Sequence, residues 1–460
     1  MTSIETVPRL TDLVKAYDVR GLVGTQLTPA VAHALGWAFA RLMAEECHAR
    51  AVVVAHDMRD SSPELAGAFA RGATAAGLDV RAAGLASTDM LYFASGSMHL
   101  PGAMFTASHN PAAYNGIKLC HPGAGPISLD TGLARIRDDA QALLDGVVPT
   151  PRGTGVVSGV EVLGTYARRM HDLVDLRRIR PLHVVVDAGN GMGGLTVPAV
   201  LGNTVQVDPL YFELDGSFPN HEANPLEPAN LVDLQRRVVE VGADLGIAFD
   251  GDADRCFVVD ERGEPVPPSA ITALVALREL AKCPGATVLH NLISSRAVPE
   301  LVSKAGGTPV RTRVGHSFIK AEMARTGAVF GGEHSAHYYF ADFYKADTGM
   351  LAAMHVLAAL GAQTEPLSRL VGGFSPYAAS GEINSTVADV PGALSRLRVW
   401  ARARGGIVDD LDGVTVDLGD GRWFNVRPSN TEPLLRLNVE ARDAVAMEAL
   451  RDEVLEIIRR

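Results

Sequence analysis

With 460 residues, 47% hydrophobic and 21% charged, the chain is longer than one hydrophobic core can organise and reads as three or four globular domains. A formal net charge of −11 excludes a general nucleic-acid binder, which needs a basic field to displace counterions from phosphates, although a local basic spot can still hold one small anion. The scattered cysteines Cys47, Cys120, Cys256 and Cys283 form no CxxC pair, which argues against a zinc ribbon or a disulfide framework.

The opening MTSIETVPRLTDL lacks the apolar stretch of a secretory signal, so a reduced, cytoplasmic setting is expected. The first predicted unit, AVVVAHDMRDSSPELAGAFARGATAAGLDV from residue 51, runs from a Val-rich strand through a polar turn and a helix, then exits at Gly77 into a second strand. Short Val-rich strands joined by such helices are the pattern of βαβ units and largely parallel sheets. TASHNP, residues 106–111, sits between the apolar GAMF and AAYNGIKL and is therefore a loop. Pro111 prevents it from extending as helix or strand, and Ser108 can face outward as an oxygen nucleophile; a plain Asx-type turn has the same composition.

After a Pro/Gly-rich boundary near 150–159, LHVVVDAGNGMGGLTVPAVLGNTVQV from residue 182 repeats the unit. Its Gly189–Gly194 stretch fits GxGxxG, with Asp208 closing the next strand, which is a dinucleotide-binding fingerprint on pattern alone. Glycines opening a βα unit also have an ordinary packing role, and nothing else in the chain supports hydride chemistry.

ADLGIAF then delivers DGDADR, residues 250–255, and CFVVD resumes as a strand. Asp250, Asp252 and Asp254 alternate, so in an extended loop they point the same way, with Gly251 bending the backbone between them. Clustered carboxylates repel, and a divalent cation relieves this; oxygen donors without His or Cys select Mg²⁺ over zinc. The flanking strands exclude an EF-hand.

A turn near 260–265 precedes a third unit, GATVLHNLISSRAVPELVSKAGGTPVRT from residue 285, followed by VGHSFIK with His316 and Lys320. In GGEHSAHYYF, residues 331–340, Glu333, Ser335 and His337 alternate and can project from one face to hold vicinal hydroxyls; a core histidine between aromatics is the alternative. MLAAMHVLAALGA has only 13 residues against the roughly 20 of a membrane span, so it is a buried helix. Beyond a boundary near 370–378 the pattern changes to paired strands, VTVDLGD and WFNVRPSNTEPLLRLNVEA, and a last helix, AMEALRDEVLEIIR, the mark of an α+β domain. RPSNTEP, residues 427–433, offers the fork of Arg427 and the short donors Ser429, Asn430 and Thr431, either as a phosphate cradle or as a polar hairpin turn. Together the loops hold the parts of phosphoryl transfer: nucleophile, hard-cation site, hydroxyl reader and anion anchor.

In order along the chain, KAYDVRG, TASHNP, YNGIK, DGDADR, GEHSAH and RPSNTEP resemble the α-D-phosphohexomutase superfamily, specifically its phosphomannomutase/phosphoglucomutase branch. The resemblance implies three related α/β domains with mixed, largely parallel sheets, at 1–153, 154–261 and 262–372, and a TATA-box-binding-protein-like α+β domain at 373–460, around a central cleft. It implies interconversion of hexose 1- and 6-phosphates, of mannose or glucose, through a phosphorylated Ser108 and a bound hexose 1,6-bisphosphate. Mg²⁺ would lie between Ser108 and the aspartates Asp250, Asp252 and Asp254, with Arg255 on the phosphoserine.

Glu333 and Ser335 would grip sugar hydroxyls, with Tyr17 and His337 beside them, and Arg427, Ser429, Asn430 and Thr431 would hold the non-reacting phosphate. Arg20, Lys118, His109, His316 and His337 are candidates for proton transfer and charge stabilisation, with Lys118 or His337 as the base. Ala336 departs from the glycine of many relatives. Phosphoglucosamine mutase, a sugar phosphatase using the same parts, and a non-catalytic sugar-phosphate binder are the alternatives. Hexose phosphates are the expected partners, without nucleic acid or membrane, for a monomer or weak dimer.

Overall fold

The computed structural model describes residues 9–148, 153–428 and 434–460, with the side chain of His316 outside the description. The chain divides into two compact units, Met1–Pro265 with His337–Leu367, and Val266–Ala336 with Ser368–Arg460.

In the first unit a mixed sheet takes the order β1-β5-β4-β2-β3-β6, from β1 (Asp18–Leu22), β2 (Ala51–His56), β3 (Asp79–Leu85), β4 (Gly102–Phe105), β5 (Tyr114–His121) and β6 (Val157–Gly159). The pairs β4–β2, β2–β3 and β3–β6 are parallel, whereas β5 runs antiparallel to both β4 and β1. Helix α1 (Pro29–Glu46) starts at Thr28, whose hydroxyl accepts from the Val31 amide at 3.3 Å, with Pro29 opening the first turn. It crosses α2 (Ser62–Ala75) so closely that a Cβ on Gly72 would lie 2.0 Å from the His33 carbonyl oxygen. Phe39, Phe69 and Phe105 pack in series, tilted and then edge-to-face, with centroids 5.7 and 5.5 Å apart, which pins the end of β4 at the point where the serine loop begins.

A second sheet follows the order β10-β9-β7-β8, from β7 (His183–Asp187), β8 (Gln206–Leu210), β9 (Leu245–Phe249) and β10 (Cys256–Asp260). The β9–β7 and β7–β8 pairs are parallel, and β9–β10 is an antiparallel hairpin whose turn is DGDADR. α3 (Thr88–Met98) ties into this half through Asp89, whose buried carboxyl accepts from Tyr166 and Thr348 hydroxyls at 2.7 Å each and is pushed up by burial to about 6. The unit ends in a hairpin, Tyr338–Phe340 with Ala346–Asp347, and the helix Gly349–Gly361. That helix is buried almost all round, its His355 stacked on Phe340 at 5.4 Å, as expected for MLAAMHVLAALGA. Among the described residues no helix is long and apolar enough to cross a membrane.

In the second unit Thr287–Asn291 pairs in parallel with Thr308–Thr312 and with Phe330–Gly332, the βαβ build read from residue 285. A separate antiparallel sheet orders Ala378–Thr386, Leu434–Ala441, Arg422–Pro428, Val414–Gly419 and Ile407–Asp409. The helices Val390–Ala403 and Ala444–Ile458 cover it around a core of Leu397, Phe424, Leu437 and Val454, an α+β domain.

Candidate active site

In the first unit the serine loop and the aspartate loop meet. Ser108 sits in the left-handed region, φ 50°, a conformation that costs a non-glycine residue on the order of 1 kcal/mol and persists only where its surroundings hold it. Its amide donates to Thr106 Oγ1 at 2.9 Å, and its side chain, 3% exposed with the rest of the residue, donates to Asp250 Oδ2 at 2.8 Å. His109 Nδ1 lies 3.0 Å from the same Oγ. A Cβ on Gly251 would stand 2.4 Å from the Ser108 carbonyl oxygen, so only glycine lets the two loops approach this closely.

The aspartate loop is not the extended segment that alternation suggests. It is a turn in which the Ala253 amide donates to the Asp250 carbonyl at 3.0 Å and Ala253 itself adopts φ 60°. The carboxylates converge nonetheless, with oxygens of Asp250, Asp252 and Asp254 within 4.8 Å of one another and all three residues buried. Asp252 accepts from Thr88 Oγ1 at 2.6 Å, and its carbonyl from the Thr88 amide at 3.0 Å, so the first turn of α3 faces the cluster with its positive dipole end.

Lys118 Nζ donates to Asp252 Oδ2 and Asp254 Oδ2, 2.6 Å each. Burial lowers the Lys118 ammonium, but the two carboxylates outweigh it and hold the pKa well above its usual value. This electrostatics favours charge balancing over proton abstraction. Burial likewise raises Asp252, yet Lys118 and Thr88 pull it well below the carboxylate range. Asp250, buried and facing Asp254 and Asp252, is raised to about 7 despite Arg255.

Arg255 donates from Nε to Asp250 Oδ2 at 2.8 Å, and its buried Nη2 has no hydrogen-bond partner. Arg20 donates to Asp18 at 2.8 Å, to the Ala107 carbonyl at 3.3 Å and to Asn110 Oδ1, so it borders the serine loop; Asp18 raises its pKa against the lowering effect of burial. His109 is held well below the usual histidine value by burial, with Arg255 and Arg20 adding to it, and is neutral near pH 7. His337 pairs by backbone with Arg255 and brings Nε2 to 3.6 Å from Asp254 Oδ1. Tyr17 is half-buried in the bend before β1.

The donor set fits a hard divalent cation. Asp252 Oδ1 and Asp254 Oδ1 are buried without a hydrogen-bond partner, a costly state that a cation relieves, and the three aspartates offer oxygen donors alone, although Asp254 also groups with His337 and Asp347. The glycine loop of the second sheet has a different use from the one its pattern suggests. The Met192 amide donates to the Gly251 carbonyl at 2.9 Å, and a Cβ on Gly191 would lie 2.6 Å from that oxygen. The glycines seat the aspartate turn, and the helix amide that would meet a pyrophosphate is already engaged.

In the second unit Glu333 is buried and accepts from the Gly315 amide at 3.0 Å and from Asn291 Nδ2 at 3.4 Å. Glu333 and Ser335 do not alternate along a strand. The chain turns, the Ala336 amide donating to the Glu333 carbonyl at 3.1 Å, with Ala336 at φ 65°, which explains why glycine suits that position. Arg427 donates to Glu382 Oε2 at 3.2 Å and keeps a buried Nε without a hydrogen-bond partner. Ser429, Asn430 and Thr431 lie outside the described residues, as does the His316 side chain; the His316 backbone opens the helix His316–Thr326.

The sequence reading missed Arg59 and Thr88. The HDMRDSS stretch did hold a signal for the first, a carboxylate and a guanidinium two residues apart immediately after a buried strand.

Sequence profiles of one family match the chain as consecutive domains: phosphoglucomutase/phosphomannomutase α/β/α domain I over residues 11–144, domain II over 165–263, domain III over 267–377 and the C-terminal domain over 382–457. A phosphomannomutase of Salmonella montevideo is 38% identical over 455 residues, covering 96% of this chain and 98% of that protein. A protein of Xanthomonas campestris pv. campestris described as phosphohexose mutases is 39% identical over 449 residues, covering 97% and 98%. The crystal structure of a phosphoglucomutase/phosphomannomutase family protein from Burkholderia thailandensis superposes with a TM-score of 0.88 at 33% identity, over 97% of this chain and 96% of that one.

Proposed function

This chain belongs to the phosphoglucomutase/phosphomannomutase family, and we propose that it interconverts hexose 1-phosphates and hexose 6-phosphates through a phosphoryl group carried on Ser108. The observation that carries the proposal is the Ser108 hydroxyl 2.8 Å from Asp250 beside a buried cluster of three carboxylates. An oxygen nucleophile against a hard-cation site is the arrangement phosphoryl transfer needs.

Asp250, Asp252 and Asp254 would hold Mg²⁺, which when bound neutralises charge on the transferring phosphoryl group. In the first half-reaction the free hydroxyl of a hexose phosphate attacks the phosphoserine: the bond from phosphorus to the sugar oxygen forms, the bond to Oγ breaks, and the hydroxyl proton leaves to a base. The product is a hexose 1,6-bisphosphate. In the second half-reaction Ser108 Oγ takes the other phosphoryl group, and the departing sugar oxygen regains a proton. With Asp250 committed to the cation, the neutral His109 Nδ1, 3.0 Å from Oγ, is the acceptor within reach of the Ser108 proton. The unpaired Arg255 Nη2 offers a charge-assisted donor to a phosphate on Ser108, and Arg20 adds positive charge beside the loop.

For the second unit the proposed roles are Glu333 and Ser335 on sugar hydroxyls, and Arg427 with Ser429, Asn430 and Thr431 on the phosphate that is not reacting. Tyr17, His316 and His337 are proposed as substrate-facing groups, and mannose phosphates as the preferred substrates, with glucose phosphates also accepted.

The test is an assay with mannose, glucose and glucosamine 1-phosphates, each supplied with Mg²⁺ and the matching 1,6-bisphosphate. Conversion to the 6-phosphate without a matching release of inorganic phosphate is the expected result. Release of phosphate in place of isomer would replace the mutase by a phosphatase.

The raised Asp250 carboxyl sets a pH dependence. A cation must displace its proton, so below about 7 the affinity for Mg²⁺ weakens roughly tenfold per pH unit, and above 7 it levels off. Calorimetric titration with MgCl₂ at two pH values either side of that point checks this. Uptake is expected to release close to one proton per ion on the acid side and almost none on the alkaline side; equal affinity on both sides would contradict it.

A further inference from the structure

Beneath the serine loop lies a buried guanidinium that no step above uses. Arg59 leaves the end of β2 and is 2% exposed. Its Nη1 donates to the carbonyls of Pro111 and Tyr114, both at 3.0 Å, and its Nη2 to those of Ser108 at 2.9 Å and Asn110 at 2.7 Å. One side chain therefore caps four carbonyls between residues 108 and 114.

The fork itself is held from behind. Asp57, also buried, has Oδ2 3.3 Å from Arg59 Nε, and its Oδ1 accepts from the Arg59 amide at 3.0 Å and from Ser62 Oγ at 2.6 Å. The Phe218 ring lies 5.1 Å from the guanidinium carbon, and a Cβ on Gly216 would come within 2.6 Å of Arg59 Cα. Ser62 and its neighbour Ser61 accept from Asn115 Nδ2 at 2.8 Å each, which extends the polar base under the far end of the loop.

A loop that turns through a left-handed serine leaves inward carbonyls that no regular element fully pairs, although that of Pro111 also accepts from the Tyr114 amide at 3.0 Å, and unpaired carbonyls are costly. A planar fork of several fixed donors satisfies them together, which an ammonium cannot do from one point. We infer that Arg59 is a positioning residue for phosphoryl transfer, holding the backbone of Ser108 in its left-handed conformation so that Oγ stays on Asp250. This rests on the reading of Ser108 as the phosphoryl carrier. Arg59 hydrogen-bonds main-chain carbonyls of the loop, and its charge also lies in the field of Asp252, which Arg59→Lys preserves.

The test compares Arg59→Lys and Arg59→Ala with the wild-type enzyme in the mutase assay, alongside thermal unfolding. For Arg59→Lys, which keeps the charge opposite Asp57, kcat is expected to fall about 100-fold, the cost of misplacing a reacting group by a fraction of its reach, with KM changed less than about threefold. The unfolding midpoint is expected to fall, because lysine leaves some of the four carbonyls unpaired, so kcat is compared at a temperature where both proteins are fully folded. Added guanidinium at millimolar concentration should recover about tenfold in Arg59→Ala and nothing in Arg59→Lys. If Arg59→Ala does not fold, Arg59→Lys decides alone.

An Arg59→Lys enzyme within about threefold of wild-type kcat would overturn the inference, as would loss of activity in step with loss of folded protein. Wild type without mutase activity would instead remove the functional reading on which the inference rests.

Discussion

Replacing Ser108 with alanine is expected to reduce conversion of hexose 1-phosphate to 6-phosphate by at least about 10³-fold, even with saturating 1,6-bisphosphate and Mg²⁺. The substitution removes only the hydroxyl that donates to Asp250 at 2.8 Å, while the carbonyl held by Arg59 at 2.9 Å and the amide bonded to Thr106 at 2.9 Å are unaffected. Fold and cation site should therefore survive, and the hexose phosphate should still bind. Intact-mass spectrometry after incubation with the bisphosphate should show the added phosphate on wild type and none on the variant. Full activity in Ser108→Ala would end the proposed mechanism, because the hydroxyl bonded to Asp250 would be gone.

The largest stability effect is expected at Lys118. Its ammonium lies 2.6 Å from both Asp252 and Asp254, whose side chains are 0% and 2% exposed. Lys118→Met keeps much of the stem volume and removes the charge, which leaves buried carboxylates without their cation. Such a loss costs about 3–5 kcal/mol of unfolding free energy in chelator. The sign with pH follows from the same groups. With Lys118 gone, burial raises their folded-state pKa above the unfolded value, so the defect is small in acid and grows as pH rises through the range in which they would ionise. Mg²⁺ should restore most of the loss, since it supplies the missing positive charge to the same oxygens. Urea unfolding with EDTA and with excess Mg²⁺ measures both terms. A variant equally stable in the two conditions would show that the aspartate cluster does not hold the ion.

Much of this was legible from the chain alone, and for identifiable reasons. The Val-rich strands at 51, 182 and 285 and the helices after them follow from local periodicity, and the structure has each as a βαβ unit. Ser108 and the three aspartates stood out because a serine on a Pro-stopped turn and acids at alternate positions are unusual at the ends of buried strands. The glycine loop after β7 shows the limit of pattern. GxGxxG reports that the backbone comes close to something, and here the partner is the carbonyl of Gly251, not a pyrophosphate. Arg59 was legible only as half of the Asp57–Arg59 pair after β2, and nothing along the chain says where its fork will point.

The sequence by itself determined the fold class, the loops that carry chemistry and the identity of the oxygen donors, since these depend on residue type and on order along the chain. Tertiary structure alone decided what those groups became. Contacts across more than a hundred residues join Ser108 to Asp250 and Lys118 to Asp252 and Asp254. Burial made one aspartate hold its proton to about neutrality while its neighbour two residues on stays ionised. The left-handed turns at Ala253 and Ala336 overrode the alternation that an extended backbone would have given. Protonation and backbone strain are set by the dielectric and the packing around a group, and neither exists until distant segments have met.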